Sequence, residues 1–231
     1  VDDDERFETG FMFSGYEWYV KRSARPVGPG PNLFSDSEDN VWIDPEGHLH
    51  LSITQTGSGW ACGEVVAKHS FGYGRYDFHL GGGADAIDPN AVLGLFTWDN
   101  EPEYANREID IEIARWGRPE RDNCQYVVQP ADVPTNIHRF NLALDGAEST
   151  HCFEWRPRRV AFLSVCGDPS FVEDESCRLG AWTYSGRDVP PPGDAHARIN
   201  LWLMAGRPPM DGQPVEVVIK RFTFTPEADL H

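Results

Sequence analysis

A turn-forming residue interrupts this chain roughly every ten positions, and that spacing constrains the fold more than any other feature. The 22 glycines and 18 prolines separate short runs rich in β-branched and aromatic residues. Glycine frees the backbone and proline removes an amide donor, so long helices and long unbroken strands are both disfavoured. No extended stretch repeats its apolar residues with a helical period, and neither a repeat nor a linker divides the chain. The expectation is one all-β domain over residues 1–231, a sandwich or barrel. At 231 residues and 40 % hydrophobic content, a full core can be buried.

The opening, through Trp18-Tyr19-Val20-Lys21, reads as a first strand, and Gly28-Pro29-Gly30-Pro31-Asn32 as an irregular loop. Val41-Trp42-Ile43 and Leu49-His50-Leu51-Ser52-Ile53 flank Asp44-Pro45-Glu46-Gly47, whose composition suits a hairpin turn. Segments 60–66 and 72–80 read as two further strands, with Gly72 and Gly74 marking a bulge or a close backbone approach. Residues 91–98 are apolar enough for the middle of a sheet, and the short connection 99–106 favours an antiparallel neighbour. Segments 124–129, 151–155, 160–165, 199–204 and 215–224 supply the remaining strands, while 167–194 reads as an excursion from the framework.

The run that follows the 99–106 connection, Arg107-Glu108-Ile109-Asp110-Ile111-Glu112-Ile113, alternates strictly. With a period of two, Glu108, Asp110 and Glu112 share one face of a strand and the isoleucines share the other. The isoleucine face suits a core. Three carboxylates in a row repel one another and gain nothing from burial, so the acidic face points to chemistry. Glycoside hydrolysis uses paired carboxyl groups, about 5–5.5 Å apart when configuration is retained. Residues i and i+4 of a strand have Cα atoms about 13 Å apart, so a concave sheet must lean Glu108 and Glu112 together. Asp110 between them would push their pKa values up and apart, and could orient the nucleophile. Two other uses of the face stay open: an edge strand protected by charge, and a cation site, for which a flat strand supplies few ligands.

A formal charge of −17 and a pI near 4.7 argue against nucleic acid or an anionic membrane as partner. No run approaches about 18 consecutive apolar residues, so no membrane span is expected. Val1-Asp2-Asp3-Asp4-Glu5 does not read as a signal peptide. The five cysteines, at 62, 124, 152, 166 and 177, cannot all pair and show no zinc spacing. Cys166 and Cys177 flank a turn-rich segment and could close a loop; most of the five are expected as small buried hydrophobes. No metal, no cofactor and a monomer are expected, in a secreted or periplasmic setting rather than the cytoplasm. Eight tryptophans and 12 % aromatic content add a second argument for a glycan, since flat rings stack on sugars while polar rims take the hydroxyls. Phe96, Trp98, Trp60, Trp116 and Trp202 have the most suggestive polar neighbours, with core packing the ordinary role of any one of them.

Glu108-Ile109-Asp110-Ile111-Glu112 resembles the catalytic strand of glycoside hydrolase family 16, which holds lichenases, laminarinases, agarases, carrageenases and xyloglucan endotransglycosylases. Cys62-Gly63-Glu64 with Gly72-Tyr73-Gly74-Arg75-Tyr76 is similar to the family's strand pair before that strand. His151-Cys152-Phe153-Glu154-Trp155 and Asn200-Leu201-Trp202 resemble two later strands, in the same order. The resemblance implies a concanavalin A-like β-jelly-roll sandwich with a concave substrate cleft, and endo-acting hydrolysis of a β-glycan by double displacement. It implies Glu108 as nucleophile, Asp110 as assisting carboxylate and Glu112 as general acid/base. With nothing inserted between Asp110 and Glu112, the strand is similar to the lichenase and xyloglucan branch, so a β-1,3/1,4-glucan is the expected substrate type. It also implies Glu64 as a glycone-side ligand, and Asn32, Phe96, Trp98, Gln125 and Trp202 as cleft residues. The chain departs from lichenases at Ile113 and Asn106-Arg107, lacks a cysteine partner for Cys62 near Phe34-Ser35, and has Ile219 where an acid often binds calcium.

Arg107, Arg115, Arg118 and Arg121 cluster around the acidic strand. They either pin loops and balance the carboxylates or recognise sulfate or uronate on an anionic galactan; Arg115 and Trp116 are counted among the expected substrate-binding residues. It also stays open whether the chain is a transglycosylase or a non-catalytic carbohydrate-binding sandwich.

Overall fold

The computed structural model describes residues 5–168 and 175–230. Its first two strands, β1 (Glu5–Phe13) and β2 (Tyr16–Ser23), form a hairpin. The turn residues Ser14 and Gly15 have φ of 53° and 84°, the paired left-handed geometry whose twist matches that of the strands it joins. The single opening strand expected from sequence is therefore two. β3 (Leu33–Phe34) follows a tight turn at 28–31, and β4 (Val41–Ile43) with β5 (Leu49–Thr56) makes the expected hairpin. Next come β6 (Gly59–Ser70), β7 (Gly74–Leu80), β8 (Ala91–Trp98) and β9 (Ile109–Ala114). β8 and β9 are antiparallel neighbours, as their short connection requires.

The later strands are β10 (Cys124–Val128), β11 (Ile137–Phe140), β12 (Ser149–Arg156), β13 (Arg159–Cys166), β14 (Arg178–Tyr184), β15 (His196–Leu203) and β16 (Val215–Pro226). β11 has no counterpart in the sequence reading. Segment 167–194 is not wholly an excursion, because β14 pairs with β13 at a sheet edge; residues 169–174 of that segment lie outside the described residues.

The strands form two layers. One runs β1-β2-β6-β15-β8-β9-β10-β11, and the other β4-β5-β16-β7-β12-β13-β14. β5 passes from one to the other: Leu49–Ile53 pair with β16, and Thr54–Thr56 pair with β6. β6 and β7 thus belong to different layers and do not form the pair that the resemblance implied. Gly74 confirms the expected close approach, since a Cβ there would stand 2.5 Å from the Phe224 ring.

The core lies between the layers. Ile109, Ile111 and Ile113 are fully buried in it, with Leu93, Leu95, Ile199 and Leu201 from adjoining strands. Phe78, Phe153 and Phe222 belong to the same core from the opposite layer. Each buried isoleucine contributes about 2 kcal/mol, and that gain holds β9 in a register that turns its acids outward. A one-residue slip would bury three carboxyl groups. Cys62, Cys124 and Cys152 are buried and none of the five cysteines forms a disulfide, so no bridge closes the loop between Cys166 and Cys177. The architecture is the all-β jelly-roll sandwich that was expected, with one layer wrapped around a cleft.

Candidate active site

The chain reaches β9 through a turn held under constraint. Ala105, Asn106 and Arg107 all have positive φ, between 49° and 57°, a run that L-residues adopt only when contacts hold them there. Arg107 supplies those contacts: its guanidinium pairs with Asp99, donates from Nε to the Pro191 carbonyl at 3.0 Å, and lies 4.5 Å from the Tyr104 ring centre. Its own carbonyl accepts from Thr97 Oγ1 at 2.9 Å. Arg107 is thus a latch on the residue before Glu108. Arg107→Ala should lower stability by about 2 kcal/mol, because Asp99 is left buried without its partner; thermal melts at pH 7 would measure it.

Beyond the latch the backbone extends, and Glu108, Asp110 and Glu112 face a cavity of about 390 Å³. Burial drives the carboxyls of all three upward. Glu108 rises to about 8, through desolvation first and then the charge of Glu112. Glu112 rises to about 7 through desolvation, which Gln125 and Arg139 oppose. Asp110, almost fully buried, is raised well above the usual range by desolvation and by both glutamates. The neighbouring Asp110 carboxyl lowers Glu108, and Glu108 in turn raises Asp110. Gln129 Nε2 donates to Asp110 Oδ2 at 3.1 Å.

Glu112 has a separate support. Gln125 Nε2 donates to its Oε2 at 2.6 Å, and Arg139 Nε donates to Gln125 Oε1 at 2.8 Å. This chain of bonds fixes which end of the Gln125 amide faces Glu112. Gln125 acts here as a positioning residue and is not among the cavity-lining residues.

Strand register builds the cleft floor. Gln125, Glu112, Gly94, Asn200 and Glu64 stand opposite one another across β10, β9, β8, β15 and β6. Gly94 has to lack a side chain: a Cβ there would sit 2.5 Å from Asn200 Oδ1. Gly94→Ala should displace Asn200 and cost kcat/KM on the order of 10- to 100-fold with the melting temperature little changed; steady-state kinetics beside a melt would show it. Glu64, buried, is met by Arg198 Nη1 at 3.0 Å, Asn200 Nδ2 at 3.4 Å and Lys21 Nζ at 3.5 Å. Arg198 Nε and Asn200 Oδ1 are buried with no partner, and both residues line the cavity.

Of the other expected ligands, Phe96, Trp98 and Trp202 line the cavity with Glu64. Trp116 packs edge-on against Trp202, with ring centres 6.1 Å apart, and is not itself among the cavity-lining residues. Trp60 packs against the core. Asn32 is buried away from the cavity, donating to the Pro29 and Leu203 carbonyls at 2.8 and 2.9 Å. Arg115 bonds the Pro119 and Arg121 carbonyls of its own loop. With Arg107 latched and Arg115 turned to its loop, neither reaches the cavity, and loop pinning describes both. The cavity's cations are instead Lys21 and Arg198, which the sequence reading missed. Arg198 was within reach, since 198, 200 and 202 alternate on one strand face. Among the described residues no group of three His, Cys, Asp or Glu side chains is arranged to hold a metal ion.

No protein-family model matches the chain, and no curated protein matches it in sequence. Solved structures do match in shape. The β-glucanase of Bacillus licheniformis superposes with a TM-score of 0.62 at 18 % identity, over 97 % of this chain and 99 % of that one. A prokaryotic β-1,3-1,4-glucanase (lichenase) from a mouse hindgut metagenome gives 0.64 at 20 %, over 94 % and 98 %. An immunostimulatory antigen and pseudo β-1,3-glucanase of Mycobacterium tuberculosis gives 0.65 at 18 %, over 97 % and 92 %. At these identities the likeness is one of fold: the chain shares the jelly-roll sandwich of the β-glucanases over nearly its whole length.

Proposed function

We propose that this protein hydrolyses a β-linked glucan with retention of configuration. The observation that carries the reading is geometric: Glu108, Asp110 and Glu112 line one cavity from a single strand face, with Gln129 holding Asp110 and the Arg139–Gln125 pair holding Glu112. In the first step ionised Glu108 attacks the anomeric carbon while Glu112 gives its proton to the departing glycosidic oxygen. Glu112, now a carboxylate, takes a proton from water, whose oxygen displaces Glu108 and restores the starting state. Asp110 lowers the basicity of Glu108 as charge leaves it and returns. Trp98 and Trp202 offer flat faces for sugar rings, and the glucan class follows the solved structures that share the fold. If a sugar hydroxyl replaces water in the second step, the same residues perform transglycosylation.

A panel of lichenan, laminarin, xyloglucan, agarose and carrageenan, assayed for new reducing ends, tests the proposal. Release from lichenan or laminarin is expected. Binding to one of them with no release from any would replace hydrolysis by a sugar-binding sandwich. Turnover on carrageenan that falls as salt is added would move the substrate to an anionic galactan.

A further inference from the structure

The first strand builds a wall at one end of the cleft. Between Arg6 and Thr9 the pairing of β1 with β2 slips, so that Phe7 and Glu8 together stand opposite Lys21. Two residues against one is a bulge, which bends an edge strand and re-aims its side chains. Glu5 and Phe7 consequently line the cavity. The Phe7 ring centre lies 5.6 Å from the Arg198 guanidinium carbon, although β2 and β6 separate β1 from β15. Three strand spacings put those backbones about 14 Å apart on a flat sheet, so Phe7 and Arg198 reach towards each other across β2 and β6 to make the contact. Lys21 ties the corner together. Its Nζ meets Glu5 Oε1 at 3.0 Å and the Gly28 carbonyl at 2.6 Å, and the Gly28-Pro29 turn completes the wall.

Internal cleavage needs a groove through which a polysaccharide can run. We propose that this end instead receives a chain terminus: the terminal sugar sits against Phe7, Lys21 and Arg198, and the enzyme trims short fragments of fixed length. The run of the cleft floor favours a terminus: from Asn200 on β15 it passes to Glu64 on β6 and Lys21 on β2, and there it meets the bulge that carries Phe7. The cavity volume, about 390 Å³, falls at the small end of the range for sites that enclose a discrete ligand. The proposal commits to the non-reducing end and rests on the hydrolase reading.

The test compares mixed-linkage β-glucan and laminarin hexasaccharides whose non-reducing terminus is free or blocked by a 4,6-O-benzylidene group. Binding is followed by tryptophan fluorescence, and products by chromatography from the earliest turnovers. The block is expected to weaken binding about tenfold or more, and the free oligosaccharides to give one short product from the start. Phe7→Ala should bring the two affinities within about threefold and broaden the products. Equal binding of free and blocked forms by the wild type, or an early ladder of product lengths, would overturn the wall while leaving hydrolysis standing. Discrimination between the two forms without any cleavage would uphold the wall and remove the hydrolase reading. The wild-type contrast decides the matter even where Phe7→Ala does not fold.

Discussion

Glu108→Ala is expected to lower kcat/KM on lichenan or laminarin by roughly 10⁴-fold or more, the scale seen when one member of a concerted catalytic set is removed. Glu112 would still protonate the leaving oxygen, but nothing would hold the anomeric carbon. Added azide separates this cause from general damage. A small anion can occupy the space of the missing carboxylate, attack from the same side and give a glycosyl azide of inverted configuration. Glu112→Ala should instead lose about 10²- to 10⁴-fold, and azide should then return a product of retained configuration. Equal activity of Glu108→Ala and wild type would remove Glu108 from the chemistry. Rescue with retained configuration in Glu108→Ala would exchange the two roles.

The second large effect is on stability, and its sign is opposite to that of most mutations. Glu108 has a folded pKa of about 8 against an ordinary 4.5. A raised carboxyl keeps its proton in the native state while the unfolded chain has released it, so stability falls as pH climbs from 4.5 towards 8. Glu108→Gln removes that dependence. Its advantage over wild type should grow from about 1 kcal/mol at pH 5 to about 4 kcal/mol at pH 8, the latter worth about 8–16 °C in melting temperature for a chain of this size. Paired melts across that pH range would measure it. A difference that stayed flat, or shrank with rising pH, would mean that Glu108 is not held in a proton-retaining environment. Glu108→Gln should also be assayed on lichenan and laminarin, because a more stable variant that has lost catalysis has not lost it by unfolding.

How much of this was legible in the sequence depended on whether the controlling interactions were local. The alternation of Glu108 to Ile113 was readable because strand geometry alone assigns faces, and the isoleucines do lie in the core while the acids face the cavity. The hairpin at Asp44–Gly47 was readable from turn chemistry. The β1–β2 hairpin was not, since Ser14-Gly15 is an unremarkable pair until its two positive φ values are known. The basic residues near the acidic strand drew attention by proximity in sequence, and there proximity misled. Arg107 and Arg115 satisfy carboxylates and carbonyls of their own turns, whereas Arg198 and Lys21 arrive from distant strands.

By itself the sequence determined the all-β architecture, the strand that carries three acids and the direction in which they point, because side-chain alternation and turn propensity act over a few residues. Tertiary structure decided which groups surround those acids. The Arg139–Gln125 support of Glu112 crosses three successive strands, while the room that Gly94 leaves for Asn200 and the approach of Phe7 to Arg198 depend on strands far apart in the chain. Their register comes from the burial of the opposite face. Hydrophobic packing sets that register without regard to chemistry, and the chemistry follows from the residues it happens to align.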